Sequence, residues 1–71
     1  MIEVSDVETF FHKYVAIGVA HDLIPGKLFF YFGYVNYVDN AEVKLETKNG
    51  FKIIPLGGIM DIHLAGGNND R

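Results

Sequence analysis

The chain contains no cysteine, which excludes disulfide bonds and thiolate metal sites. It also lacks a run of about 20 apolar residues of the kind that spans a membrane. The first residues, Met1-Ile2-Glu3-Val4, do not show the basic region and apolar run of a secretory leader. These three absences together lead us to expect a cytoplasmic protein.

Basic residues are also scarce in this chain. Six Lys and Arg face nine Asp and Glu, so the net charge is −3. Proteins that bind nucleic acid mainly by neutralising phosphates carry an excess of positive charge. The composition argues against that mode of binding and leaves room for a local site that contacts bases.

Candidate nucleophiles are few. Ser5 is the only serine, and its place before a predicted helix gives it a capping role instead of a catalytic one. Gly57-Gly58 and Gly66-Gly67 follow neither of the common phosphate-loop spacings. We therefore expect no enzymatic activity, no cofactor and no small-molecule substrate.

The three histidines do not form a metal motif. No pair among His12, His21 and His63 has a recognised metal-ligand spacing. Asp61 and His63 alternate along a predicted strand and can share a face, but solvated side chains on an outer strand explain both. No metal site is predicted.

Apolar residues, by contrast, are abundant for so short a chain. They make up 49% of the 71 residues, and aromatic residues alone make up 14%. This length allows one domain, and a domain this small buries only about 60% of the surface of its unfolded chain. Part of the apolar surface is therefore expected to be covered by another subunit.

The N-terminal region has the pattern of one short helix, over about residues 6–13. Ser5 and Glu8 have the spacing of a capping box, which marks a helix start. Apolar residues then recur at helical spacing. That apolar face comprises Val7, Phe10, Phe11 and Tyr14.

The rest of the chain has the pattern of strands joined by turns. Pro25-Gly26, Asp39-Asn40 and Asn49-Gly50 are turn signals, and the last is a strong hairpin signal. Small residues alternate with Val15, Ile17 and Val19, which indicates a first strand packed closely on both faces. The predicted strands cover about residues 15–20, 28–38, 42–48, 51–56 and 59–65.

The second predicted strand is long and contains Gly33. A glycine inside a strand usually marks a bulge or a sharp bend. A bent strand lets a small sheet curl, and a strongly bent barrel is the economical way for five strands to enclose a core. The predicted fold is therefore mainly β, with a short N-terminal helix and a five-stranded SH3-like barrel over residues 1–65. Residues 66–71 are predicted to be a disordered tail.

The second strand is also strongly aromatic between Phe29 and Tyr37. Exposed rings on a strand can stack on the bases of a single-stranded nucleic acid. Alternating aromatic residues on a strand more often pack in a core or a subunit interface. The packing interpretation is preferred here.

The predicted hairpin at Asn49-Gly50 places apolar side chains on a charged face of the sheet. A two-residue turn there pairs Lys48 with Phe51 and Glu46 with Ile53. Exposing two such side chains to water is unfavourable, because burying each is worth roughly 1.5–3 kcal/mol. A neighbouring subunit is the natural cover, so we predict a homo-oligomer.

The order of elements and two residue patterns resemble the Sm-like (LSm/Hfq) family. The first pattern of that family is similar to Gly33-Tyr34-Val35 followed by Val38-Asp39. The second, an apolar strand, a glycine turn and another apolar strand, is similar to residues 53–62. The resemblance covers residues 5–64, and its motifs consist mostly of strand periodicity with Gly and Asp.

The resemblance implies closed rings in which the fourth strand of one subunit pairs with the fifth strand of the next. On this basis the interface is expected at Phe51, Ile53, Ile59 and Ile62. Family members usually bind uridine- or adenosine-rich single-stranded RNA near the ring pore, through two turns. The matching residues here are Tyr37, Asp39, Asn40, Gly57 and Gly58.

The chain departs from the family pattern at two places. Val43 stands where the family has an asparagine, although Asn40 lies in the same turn. Pro55-Leu56 replaces the family's Arg-Gly, which removes a group that would stack and carry positive charge. Two hypotheses follow: a ring that binds single-stranded RNA, or the same ring acting in protein interaction or structure without RNA.

Overall fold

The computed structural model describes residues 2–66, which form one short helix and one antiparallel sheet. The elements are α1 Val4–Glu8, β1 Tyr14–Ala20, β2 Leu28–Val38, β3 Glu42–Thr47, β4 Gly50–Pro55, a 3-10 helix Leu56–Gly58 and β5 Ile59–Leu64. The strands lie in the order β4-β3-β2-β1-β5. The mainly β class and the order of elements are confirmed. Except for Gly66, the predicted tail lies outside the described residues.

The helix begins earlier than predicted. Its N-cap is Glu3 and not Ser5, and the carboxylate of Asp6 accepts a hydrogen bond from the Glu3 amide at 2.9 Å. Two capping patterns of the same spacing overlap in this segment, and the sequence alone does not choose between them. Ile2 and Val4 both pack against the core, so tertiary contacts favour the earlier start.

The helix also ends earlier than predicted, at Glu8. The chain then turns at His12, whose backbone φ of 65° is rare for any residue other than glycine. The His12 amide donates to the Val35 carbonyl at 2.8 Å, so pairing with β2 replaces the helix. Val7 is buried as predicted, whereas Phe11 is exposed. No helix within residues 2–66 is long and apolar enough to cross a membrane.

The core lies on one face of the sheet. Val15 and Ile17 of β1 are buried there with Val43 and Leu45 of β3. Strict alternation puts these side chains on one face, because neighbouring residues in a strand point to opposite faces. The core cluster consists of Val7, Val15, Ile17, Val35, Val43, Leu45, Ile54, Leu56 and Ile59.

Strand β1 is also covered on its other face, as its small residues predict. Ala16 and Gly18 are both buried. A Cβ added to Gly18 would come within 2.8 Å of the Phe30 ring, so this ring rests directly on the glycine. Small residues on β1 thus make room for aromatic side chains from β2.

Strand β2 passes very close to β3 at Gly33. A Cβ built on Gly33 would lie 2.5 Å from the carbonyl oxygen of Glu46. Three residues further on, Asn36 forms a bulge between the pairs Val35–Leu45 and Tyr37–Lys44. A glycine and a bulge so close together let a strand twist and bend, as the sequence predicts.

The sheet does not close into a barrel, so that part of the fold prediction is wrong. Closure requires hydrogen bonds between β4 and β5, and these two strands are the two ends of the sheet among the described residues. β4 pairs only with β3, and β5 pairs only with β1. Within residues 2–66, the sheet therefore has an open edge at each of its two ends.

The predicted β3–β4 hairpin is present, but the pairing register of its strands differs from the prediction by two residues. Thr47 pairs with Gly50 and Glu46 pairs with Phe51, so the turn residues are Lys48 and Asn49. The Thr47 hydroxyl donates to the Gly50 carbonyl at 2.6 Å, and Gly50 takes a φ of 111°. A shift of two residues keeps every side chain on its predicted face.

Candidate functional site

The β2–β3 turn is organised around the carboxylate of Asp39. Its Oδ1 accepts hydrogen bonds from the amides of Ala41 at 2.8 Å and Glu42 at 2.9 Å. Its Oδ2 accepts one from the Tyr37 hydroxyl at 2.9 Å. An aspartate that bonds the backbone two residues on is a common turn device. Here it also fixes the Tyr37 side chain beside the turn.

These hydrogen bonds set the charge of the turn. The Ala41 and Glu42 amides and the Tyr37 hydroxyl hold the pKa of Asp39 below its usual value. The same hydroxyl bond and the negative charge of Asp39 raise the pKa of Tyr37. At neutral pH, Asp39 is therefore a carboxylate and Tyr37 a neutral hydrogen-bond donor.

The second predicted turn lies directly beside the first. The Leu56 amide donates to the Ala41 carbonyl at 2.9 Å, which ties the 3-10 helix to the β2–β3 turn. A Cβ added to Gly57 or Gly58 would meet no atom within 4 Å. The structure thus brings the residues 37–40 and the glycine pair together, and the space next to the glycines is open.

Asn40 is the polar side chain of this site that remains available. It is exposed, and its amide makes no hydrogen bond to any residue that the structure describes. Within the two turns, residues 37–42 and 55–58, the charged residues are Asp39 and Glu42, and neither turn contains a Lys or Arg. The site can offer an amide and an aromatic ring, but it is acidic.

A small apolar hollow adjoins the Tyr37 ring. It has a volume of about 290 Å³ and is lined by Glu8, Phe11, Tyr37 and Val38. Sequence reasoning placed Phe11 on the inner face of a longer helix and so did not connect it with Tyr37. The left-handed turn at His12, which the sequence does not signal, is what brings the two rings to one surface.

The aromatic residues of β2 are not core residues. Phe29, Phe30, Phe32 and Tyr34 are exposed to between 38% and 51%, and only Tyr31 packs partly against the core. The preferred packing interpretation is therefore wrong for the core of a single chain. A subunit interface or a ligand site stays a prediction for these rings.

The two open edges carry most of the predicted interface residues. Phe51 and Ile53 on β4 are 58% and 46% exposed, and Ile62 on β5 is half-buried. Ile59 is the exception, because its side chain lies in the core. The exposed face predicted for Phe51 and Ile53 is confirmed.

Backbone groups on these edges point outward. On β4, the hairpin turn sets the ladder so that Gly50, Lys52 and Ile54 bond to β3. Phe51 and Ile53 then direct their backbone groups away from the sheet. On β5, Ala65 donates to the Tyr14 carbonyl at 3.0 Å, and the same alternation leaves Ile62 and Leu64 facing outward.

The histidines lie apart from the turns. The His63 Nδ1–H donates a hydrogen bond at 2.9 Å to the Asp61 carboxylate on the exposed surface of β5, where the two side chains share a face as their alternation predicts. The His21 Nδ1 accepts from the amides of Leu23 and Ile24. Within residues 2–66, no group of three potential ligands could hold a metal ion.

Comparison of the chain with protein-family models, curated proteins and solved structures finds no match. The resemblance to the Sm-like family therefore depends on the residue patterns and on the order of the elements.

Proposed function

We propose that this chain is an Sm-like ring-forming protein whose paired turns bind single-stranded RNA. The observation that carries the proposal is the presence of two different open edges, β4 and β5, at opposite ends of one sheet. An unpaired edge with apolar side chains is a template for pairing with another chain. Because each copy has one edge of each kind, head-to-tail pairing can continue from copy to copy and close into a ring.

Side chains on these edges support the same assembly. Phe51, Ile53 and Leu64 are each about half exposed, and pairing of β4 with β5 of the next copy would cover them. Burying such a side chain completely is worth roughly 1.5–3 kcal/mol. The sheet is the size of one small domain, so this gain is large relative to its total stability.

The paired turns support RNA binding through bases and not through phosphates. The ring of Tyr37 is about half exposed, and its hydroxyl is held by Asp39, which fixes the ring for stacking. Asn40 offers an amide to the edge of a base, and the open space at Gly57 and Gly58 allows close approach. A chain without cysteine also fits the proposed cytoplasmic location.

The same ring without an RNA role is the second candidate function. The observation that favours it is the negative charge of the paired turns, where Asp39 and Glu42 stand without a Lys or Arg. In a ring, the paired turns of each copy would add the same negative charge, and negative charges around a pore repel phosphates. The solution state and an RNA titration separate the two candidates.

We expect the purified chain to have a solution mass several times its own 8.0 kDa. Multi-angle light scattering at micromolar concentration measures this directly. A closed ring should give one mass that does not change on dilution tenfold, whereas open filaments should give a range of masses. A monomer under these conditions would contradict the proposed assembly.

We expect modest affinity for oligo-U or oligo-A, with a shallow dependence on salt, because few phosphates are neutralised. Replacing Tyr37 with Ala should weaken binding by about 1–3 kcal/mol for each stacked base, and Asn40→Ala should weaken it further. Tyr37→Phe keeps the ring and should retain most of the affinity. Fluorescence anisotropy at low salt measures all three variants.

The matched control is Tyr34→Ala, which removes an equally exposed tyrosine from another part of β2. It should leave RNA affinity unchanged. Two results would rule out the paired turns as an RNA site. In one, the intact ring binds neither oligo-U nor oligo-A; in the other, its RNA affinity is unchanged by Tyr37→Ala and Asn40→Ala. The ring without RNA would then be the function that the edges support.

A further inference from the structure

A third open edge lies inside the sheet, because β2 is much longer than β3. Strand β2 pairs with β1 from Leu28 to Tyr34, but it pairs with β3 only from Tyr34 onward. On the side away from β1, no described strand pairs with Leu28–Gly33. We call this side the open β2 edge. At about 3.3 Å per residue, it is roughly 20 Å long.

The direction of the backbone groups on this edge follows from the ladder. The His21 amide donates to the Lys27 carbonyl at 2.9 Å, and hydrogen-bonded pairs in an antiparallel ladder alternate from there. Residues 29, 31 and 33 therefore bond to β1. The N–H and C=O groups of Leu28, Phe30 and Phe32 point to the open side.

An open cleft of about 590 Å³ lies along this edge, between β2 and the β3–β4 hairpin. Phe30 and Phe32 line it from one face of β2, and Phe29 and Tyr31 line it from the other. The hairpin contributes Lys48 and Lys52, and no acidic residue lines the cleft. The cleft thus combines unpaired backbone groups, aromatic walls on both faces and positive charge.

We infer that the cleft binds an extended segment of a partner protein, with alternating apolar and acidic side chains, as an added strand on the open β2 edge. Main-chain hydrogen bonds to Leu28, Phe30 and Phe32 would give the affinity in this mode of recognition. The aromatic walls would take the apolar side chains. Lys48 and Lys52 would attract the acidic ones. This site is separate from the β5 edge and the paired turns, and it shares Phe51 with the β4 edge.

Stacked bases fit the cleft less well than a strand does. The ring of Tyr31 is covered by the Lys52 ammonium at 4.8 Å, and the ring of Phe51 by Lys44 at 4.7 Å. Phe29 meets Tyr31 edge to face at 5.0 Å between ring centroids. Bases need free ring faces, whereas a strand needs free backbone groups, which are what this edge supplies.

The test uses the full chain and a fluorescent hexapeptide that alternates glutamate and valine, capped at both ends. Fluorescence anisotropy should show saturable binding. The matched peptide has the same side chains but carries an N-methyl group on every residue, so neither of its edges can donate backbone hydrogen bonds. We expect its affinity to be at least about tenfold lower, because two or more backbone hydrogen bonds are lost. Equal affinity for both peptides would overturn strand addition.

Two protein variants locate the site. Phe32→Pro removes an amide that faces the cleft and leaves the β1 ladder intact, so it should weaken binding more than Phe32→Ala, which keeps the amide. Lys48→Glu should weaken binding of the acidic peptide several-fold, and Lys13→Glu, a lysine outside the cleft, should not. If Phe32→Pro does not fold, the N-methylated peptide still decides the question.

Other occupants of the cleft would give different results. Oligo-U that competes with the peptide and loses affinity in Phe32→Ala would assign the cleft to RNA instead. A self-association that Phe32→Pro abolishes, in a sample without peptide, would assign it to a second copy of the chain. Either result would overturn the partner-segment proposal.

Discussion

Replacing Phe51 and Ile53 together with lysine is expected to convert the proposed ring into a monomer. Both side chains are exposed on β4, and the backbone groups of both residues point away from the sheet. Lysine on an edge strand is a common natural barrier to edge pairing, since the approaching strand must desolvate its charge. Two lysines remove the apolar contact and add repulsion at each contact between copies.

The monomer itself should stay folded. Neither side chain belongs to the core cluster, and the ladder from β4 to β3 passes through Gly50, Lys52 and Ile54. Exposed substitutions of this kind usually change stability by less than about 0.5 kcal/mol. Light scattering should therefore report the mass of one chain, with a circular dichroism spectrum like that of the wild type.

The matched control replaces Leu23 and Ile24 with lysine. These residues are 85% and 47% exposed in the β1–β2 connection, so the control adds the same charge away from both edges. It should assemble as the wild type does. If Phe51→Lys with Ile53→Lys also keeps the wild-type mass, the β4 edge is not the contact, and the ring proposed from the open edges fails.

The strands were predictable because period-two alternation reports which face a residue occupies. In β3, Val43 and Leu45 alternate with charged residues, and both are fully buried. The register of the next hairpin was less predictable. The Asn-Gly signal favours one turn, but hydrogen bonds of the Thr47 hydroxyl and the positive φ of Gly50 stabilise another.

Closure of the sheet was not predictable in the same way. Periodicity carries no information on curvature, which depends on the combined twist of five strands. Gly33 and the bulge at Asn36 do permit a bend, but the bend does not bring β4 to β5 among the described residues. The end of the helix could not be predicted from the sequence either, because it depends on the hydrogen bond between His12 and Val35.

The candidate site was predictable in its parts and not in its details. The pairing of the two turns followed from the resemblance to the Sm-like family, and a hydrogen bond from Leu56 to Ala41 now joins them. The Tyr37–Asp39 bond was missed, although a spacing of two residues at a strand end permits it. The open β2 edge had a signal in the sequence, since the second predicted strand was clearly longer than the third.

Replacing Gly33 with valine is expected to lower the free energy of unfolding by more than about 1 kcal/mol. A Cβ at this position would lie 2.5 Å from the Glu46 carbonyl oxygen and 3.0 Å from the Leu45 Cγ. The first is a backbone atom in the β2–β3 ladder and cannot move without disturbing the pairing. Leu45 is fully buried, so it has no free space to move into.

Urea denaturation of the wild type, Gly33→Ala and Gly33→Val measures the effect. Both variants carry the offending Cβ, so alanine should already destabilise the chain and valine should do so further. Gly57→Val is the matched control, because a Cβ on Gly57 meets no atom within 4 Å. It should change stability by less than about 0.5 kcal/mol. A Gly33→Val midpoint equal to that of the wild type would mean that β2 and β3 do not approach closely at this residue.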